Sequence, residues 1–257
     1  TSILDSQGSR SFTVGQAEGS GSYTVGVEDQ ILSDAGYYWR VMATDSNDVS
    51  GLYAYANSGE IAFNIDTINP SIPGIPSTNS PTNSASQTWG WTAAIDSASG
   101  IDNYVWRVLN NLDELIINGI TDSLSVITNL IEGEYNFFVK ALDNATNYGS
   151  ESFGSIIVDT TAPLTTDSGT FSSWYKTSVT IAFSCSDNLT ECSNTYYTTD
   201  NSTPTINSTN GSSVTLSENG VYTIKYFSTD NAGNQESVKW WFYFDNFKGC
   251  DFVYFCS

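Results

Sequence analysis

At 257 residues the chain has room for two domains and part of a third. Its 28 Asp plus Glu against 8 Lys plus Arg leave a formal net charge of −20, which repels nucleic acid and anionic headgroups and argues against both as partners. Only 14% of residues are charged, and Ser, Thr, Asn and Gly carry the remaining polarity beside 15 Tyr, 13 Phe and 7 Trp. That is the composition of short strands and many turns, not of a disordered chain.

In chain order, the first conspicuous element is GYYWRVMATDSND from Gly36. It returns as GEYNFFVKALDNATN from Gly133 and as GVYTIKYFSTDNAGN from Gly220, with starts 97 and 87 residues apart. Each copy opens on a turn glycine, places a tyrosine two positions later (Tyr38, Tyr135, Tyr222), runs through an alternating stretch and ends in an Asp-rich turn at Asp45, Asp143 or Asp230. A further strand follows and ends on Asp66, Asp159 or Asp245, and after two of these comes a connector with proline, at Pro70 and Pro163. A period near ninety residues is one β-sandwich per repeat. The middle repeat predicts strands over 87–93, 103–109, 115–117, 123–129, 134–142 and 153–158, with a tight turn at Asn118-Gly119.

The fold class expected is therefore all-β, as tandem sandwich modules over 67–159 and 160–245, an N-terminal module over 1–66 and a tail over 246–257. The middle module has 66 residues before its repeat glycine and the first has only 35, so the first is expected to be incomplete and to hold its C-terminal strands alone. Either the chain is a piece of a longer array or a neighbouring subunit completes the open edge. The aromatic tail (Phe247, Phe252, Tyr254, Phe255) either covers the last module or packs into a neighbour.

Four cysteines fall in two close pairs, Cys185 with Cys192 and Cys250 with Cys256, without CxxC spacing and without any histidine. Zinc has little to bind, and two short-loop disulfides in an oxidising compartment are the economical reading. Five Asn-x-Ser/Thr sequons, at Asn144, Asn188, Asn201, Asn207 and Asn210, fit the same location as glycosylation sites, although such triplets also arise by chance in this composition. No signal peptide and no run of 18 apolar residues is present, so a mature or excised exported protein without membrane insertion is expected.

Residues 31–69 and 70–110 resemble the fibronectin-type-III-like repeats of large bacterial and archaeal surface proteins, through YYWRV, IDTINP, SPTN, TWGWT and SGIDNY. Residues 160–245 resemble bacterial Ig-like repeats, through VDTTAP, TIAFSCSDN and TDNAGN. In such a sandwich the B–C and F–G loops lie where the chain enters the module, and the last strand runs to the far end. Each junction then gathers acidic elements from three places. At the first these are Asp66, then Asp96 with Asp102, then Asp143 with Asn144 and Asn147. At the second they are Asp159, then Asp187 with Asn188, then Asp230 with Asn231 and Asn234. Clustered carboxylates repel unless a cation neutralises them, and Ca²⁺ takes six to eight oxygens. The resemblance extends to adhesins with calcium between domains, and Ca²⁺ at the junctions is the cofactor expected. The alternative is that these Asp and Asn residues only form turns.

The repeat tyrosines match the position of a tyrosine corner, a structural role. The tryptophans are expected in sandwich cores, and the adjacent Trp240 and Trp241 must point to opposite faces, so one of them is a candidate intermodule or intersubunit contact. Lys140 and Lys225 read as ordinary strand-face lysines. No histidine base, reactive thiol or phosphate loop is present, and each conspicuous aspartate recurs with the repeat, whereas an active site would occur once. The function expected is a non-enzymatic extracellular segment of a surface filament, stalk or adhesin, associating with neighbouring subunits or other surface proteins, with glycans as a further partner class. The alternative is a set of glycan-binding accessory modules of a secreted polysaccharide-degrading enzyme, which requires an exposed row of aromatic rings.

Overall fold

The computed structural model describes residues 33–38, 40, 41, 47, 49–169, 177–218 and 220–245. Asp45, Trp39, Trp174, the N-terminal 32 residues and the tail with Cys250 and Cys256 lie outside the described residues. The first module is seen as an antiparallel ribbon in which β1 (Ala35–Tyr37) pairs with β4 (Phe63–Ile65) and β2 (Arg40–Val41) with β3 (Ala54–Tyr55).

The middle module is a sandwich of two sheets. One pairs β5 (Ser86–Gly90) with β8 (Ser125–Asn129). The other has the order β10-β9-β6-β7, from β6 (Ile101–Asn110), β7 (Leu115–Thr121), β9 (Gly133–Asp143) and β10 (Ser152–Val158). Alternation sets the core: Tyr104, Trp106 and Val108 from β6 meet Tyr135, Phe137, Val139 and Ala141 from β9, closed by Trp89, Trp91, Ile156 and Val158. Phe137 is fully buried, with ring centroids 4.7 Å from Trp89 and 5.6 Å from Trp106. Offset aromatic pairs of this kind add about 0.5–1.5 kcal/mol each beyond their buried area. The segment before β5 is irregular because Pro70, Pro73 and Pro76 supply no amide hydrogen. The residue after each proline donates instead, Ser71 to Ile95 O, Gly74 to Thr92 O and Ser77 to Gly90 O.

The expected Asn118-Gly119 turn does not form. Both residues lie inside β7, and the chain reverses earlier, where Asn110 N donates to Glu114 O and Asp113 takes φ of 60°. Gly119 is there for packing: it sits opposite Trp106 in the register, and a Cβ on it would stand 2.6 Å from the indole Cζ2.

The last module repeats the plan. One sheet is β11-β12-β15, from β11 (Leu164–Asp167), β12 (Val179–Ser186) and β15 (Ser213–Leu216). The other is β14-β13-β16-β17, from β13 (Cys192–Thr198), β14 (Thr209–Asn210), β16 (Gly220–Asp230) and β17 (Lys239–Asp245). Its core joins Ile181, Phe183, Val214, Leu216, Ile224 and Tyr226. In the register of β16 with β17, Trp240 lies opposite Lys225 and Trp241 opposite Ile224, and Trp240 is 57% exposed.

Each module carries a tyrosine corner, with one correction. In the first module Tyr37, not Tyr38, is buried and donates its hydroxyl to Ser33 O, as Tyr135 does to Ile131 O and Tyr222 to Glu218 O. Aligned on these tyrosines, the last strands pair Tyr37 with Phe63, Tyr135 with Ile156 and Tyr222 with Tyr243. Asp66 and Asp159 each lie three residues beyond the partner, a position occupied in the last module by Asn246, not by Asp245.

Candidate metal centres

At both junctions, strands that run in opposite directions deliver carboxylates to one place. Asp66 leaves the first module just beyond β4, and Asp159 leaves the middle module just beyond β10. Asp143 and Asp230 end β9 and β16, the strands that return to the entry end of the following module. Asp96 and Asp187 come from the loops after β5 and β12. The result is two trios, Asp66 with Asp96 and Asp143, and Asp159 with Asp187 and Asp230, and within each trio carboxylate oxygens lie within 4.8 Å of one another. Asp143, Asp159 and Asp230 are buried, and the other three are half-buried.

Local sequence holds each carboxylate in place. The turns after β9 and β16 have the same form. Asp143 Oδ1 accepts from the amides of Ala145 (2.9 Å) and Asn147 (2.8 Å), and Asp230 Oδ1 accepts from that of Asn234 (2.9 Å). Thr146 and Gly233 take positive φ at equivalent places, 72° and 93°. Asp96 Oδ1 accepts from the amides of Ala98, Ser99 and Gly100, and Asp187 Oδ2 from those of Leu189 and Thr190. Asp187 Oδ1 is buried and has no hydrogen-bond partner among the described residues. The Cys185–Cys192 disulfide closes the loop that carries Asp187.

The connector aspartates are gripped from the next module. Ser99 N donates to Asp66 Oδ2 at 3.1 Å, and Thr190 Oγ1 donates to Asp159 Oδ2. Hydrogen bonds from Ser99 and from the Ile68 amide hold the Asp66 carboxyl below the ordinary aspartate range. The two asparagines four residues past the turn aspartates reach the connector backbone, Asn147 Nδ2 to Asp66 O (3.1 Å) and Asn234 Nδ2 to Asp159 O (2.8 Å).

Not every expected ligand converges. Asp102 is exposed at the start of β6, where it accepts from Asn103 Nδ2, and it is not in the trio. Asn231 turns its amide to Thr190 O. Of the sequons, Asn144 donates to the carbonyls of Ser99 and Gly100, and Asn188 donates to Glu132. Asn201 is exposed and its carbonyl accepts from Lys225 Nζ, while Asn207 and Asn210 are exposed at the side of the last module. Lys140 Nζ lies 4.4 Å from the centre of the Tyr148 ring.

Two junction residues escaped the sequence reading. Asp34 Oδ1 accepts from Thr67 N and Oγ1, and Glu132 accepts from Thr160, Thr161 and Asn188. A signal for them exists: both stand three residues before the corner tyrosine, and a Thr follows each connector aspartate. The register becomes visible only once Tyr37 replaces Tyr38 as the landmark.

Residues 166–240 match the family model of the chitobiase/beta-hexosaminidase C-terminal domain. Endoglucanase B of Cellulomonas fimi is 33% identical over 133 residues, which is 50% of this chain and only 12% of that protein's length. Among solved structures, the fibronectin(III)-like modules of Clostridium thermocellum CbhA align over 66% of this chain and 94% of theirs, at 16% identity and a TM-score of 0.37. A two-domain fibronectin type-III segment of chicken tenascin aligns over 66% of this chain and 97% of its own, at 14% identity and a TM-score of 0.34. By its own strand order, with a smaller sheet facing one of four strands in each described sandwich, the chain is a tandem of fibronectin-III-like and Ig-like β-sandwich modules.

Proposed function

We propose that this chain is a non-catalytic, extracellular spacer whose serial sandwiches are stiffened at each junction by a hard divalent cation, with Ca²⁺ the best fit. The observation that carries this is the pair of carboxylate trios, each assembled from the connector of one module and two loops of the next. Three oxygen-bearing ligands without histidine or thiolate suit Ca²⁺, for which carbonyls and solvent would supply the rest of six to eight oxygens. The unpartnered, buried Asp187 Oδ1 supports the same assignment, because such an oxygen is costly without a cation or donor. Since its ligands come from both modules, a bound ion fixes the angle between them.

The assembly that such a spacer serves is a surface filament, stalk or adhesin, in which neighbouring subunits associate with the chain. A second reading is favoured by the likeness to endoglucanase B over 133 residues: the modules would be a non-catalytic part of a secreted polysaccharide-degrading enzyme. In that setting they act as a spacer more readily than as a glycan platform, because Trp89, Trp91 and Trp106 all belong to the core. The test is titration of the chelator-stripped chain with CaCl₂ by calorimetry, followed by small-angle scattering with and without the ion. Binding at the two junctions with a longer, narrower particle is expected. A calorimetric blank at millimolar Ca²⁺ overturns the cation assignment, and a particle shape indifferent to bound ion overturns the stiffening role.

A further inference from the structure

We infer that Glu132 is a metal-independent positioning residue that locks the middle module to the last one, and that the described residues of the first junction form no equivalent lock. The inference rests on the spacer reading but not on the cation. Glu132 lies in the turn one residue before β9, and its two oxygens collect four donors from beyond the module. Oε2 accepts from Thr160 N (3.3 Å), Thr160 Oγ1 (3.1 Å) and Thr161 Oγ1 (2.5 Å), all in the connector. Oε1 accepts from Asn188 Nδ2 at 2.7 Å, and Asn188 belongs to the loop of the last module that also carries Asp187. One side chain therefore bridges the body of one module, the connector and the body of the next. The hydroxyl of Thr161 and the amide of Asn188 also hold the Glu132 carboxyl below the ordinary glutamate range.

The corresponding residue at the first junction is Asp34, which is one methylene shorter. Among the described residues it accepts from Thr67 N and Thr67 Oγ1 alone, both at 2.9 Å, and so grips the connector. The residue that follows Asp96, as Asn188 follows Asp187, is Ser97, whose short side chain carries no carboxamide. Without divalent cations the chain is therefore expected to hinge at the first junction while the second stays closed. Hydrogen bonds to a charged acceptor shift such an open–closed balance by about tenfold or more.

The test uses the full chain, isotope-labelled, in excess EDTA, with residual dipolar couplings measured separately for amides of the middle and last modules. In the unaltered protein both modules are expected to report one common alignment tensor. In E132A, and to a lesser degree in N188A, the two tensors should separate while the chemical shifts within each sandwich stay in place. Two independent tensors in the unaltered protein, or a common tensor retained in both variants, would overturn the lock. Calcium calorimetry on E132A keeps the two proposals apart: retained binding with separated tensors in EDTA supports both, and lost binding of the unaltered chain leaves only the lock standing.

Discussion

Replacing Asp187 by Asn makes the cation assignment answer for its sign. In the absence of an ion three carboxylates converge within 4.8 Å, and two unit charges at that distance repel by about 3.5 kcal/mol at an effective dielectric constant of about 20. Asp187 takes part in two such pairs. Solvent reaches the half-buried Asp187 and partly screens it, so the net relief on removing its charge is expected near 1–2 kcal/mol. Asparagine keeps an oxygen for the Leu189 and Thr190 amides, so the turn survives the change. In EDTA the variant should therefore be more stable than the unaltered protein, with the melting temperature of the last module raised by roughly 5–10 °C. With Ca²⁺ at a hundred times its dissociation constant the unaltered module gains about 2.7 kcal/mol, whereas the variant has lost a charged ligand and gains little. The order of stability should cross between the two buffers when thermal unfolding is followed by circular dichroism. If both proteins melt alike in EDTA and in millimolar CaCl₂, the aspartates are turn formers only and the metal reasoning is refuted.

Two further outcomes follow from the same geometry. Reduction of Cys185–Cys192 opens a loop of seven-residue separation and should cost about 2.5 kcal/mol on the chain-entropy account. It should also weaken cation binding at the second junction while leaving the first unchanged, which calorimetry with and without a phosphine reductant would resolve. Asp200 is held below the ordinary aspartate range by the Ser202 hydroxyl and amide, with a smaller contribution from Lys225. Its stabilising contribution should be full above the unfolded-state value near 3.8–3.9 and lost as pH falls through the lower folded value. Melting temperatures between pH 2 and 7 should show a shallower acid loss in D200N, and an identical slope in both proteins would contradict that role.

Much of this architecture is local and therefore legible in one dimension. Period-2 alternation in YNFFVKALD names the buried face of β9. The recurring Asp-Asn-Ala-x-Asn turn and the Asp-Thr connectors mark module ends, and the six residues between Cys185 and Cys192 leave a short loop as the simplest link. These features depend on neighbours a few residues away, where backbone geometry alone sets which groups can meet. The tertiary structure decided what depends on approach across long separations. Only packing shows that Asp96 converges with Asp66 and Asp143 while Asp102 does not, because one carboxylate is turned inward by three loop amides and the other stands exposed at a strand end. Only register separates Tyr37 from Tyr38, since one residue of slip exchanges the faces of a strand. Asn118-Gly119 has the composition of a turn, and it stays in a strand because the Trp106 ring, on the neighbouring strand, occupies the space a side chain would fill. Glu132 is marked in sequence only by its place three residues before the corner tyrosine: its partners lie 28 to 56 residues away, and they become neighbours only when two finished sandwiches are set end to end.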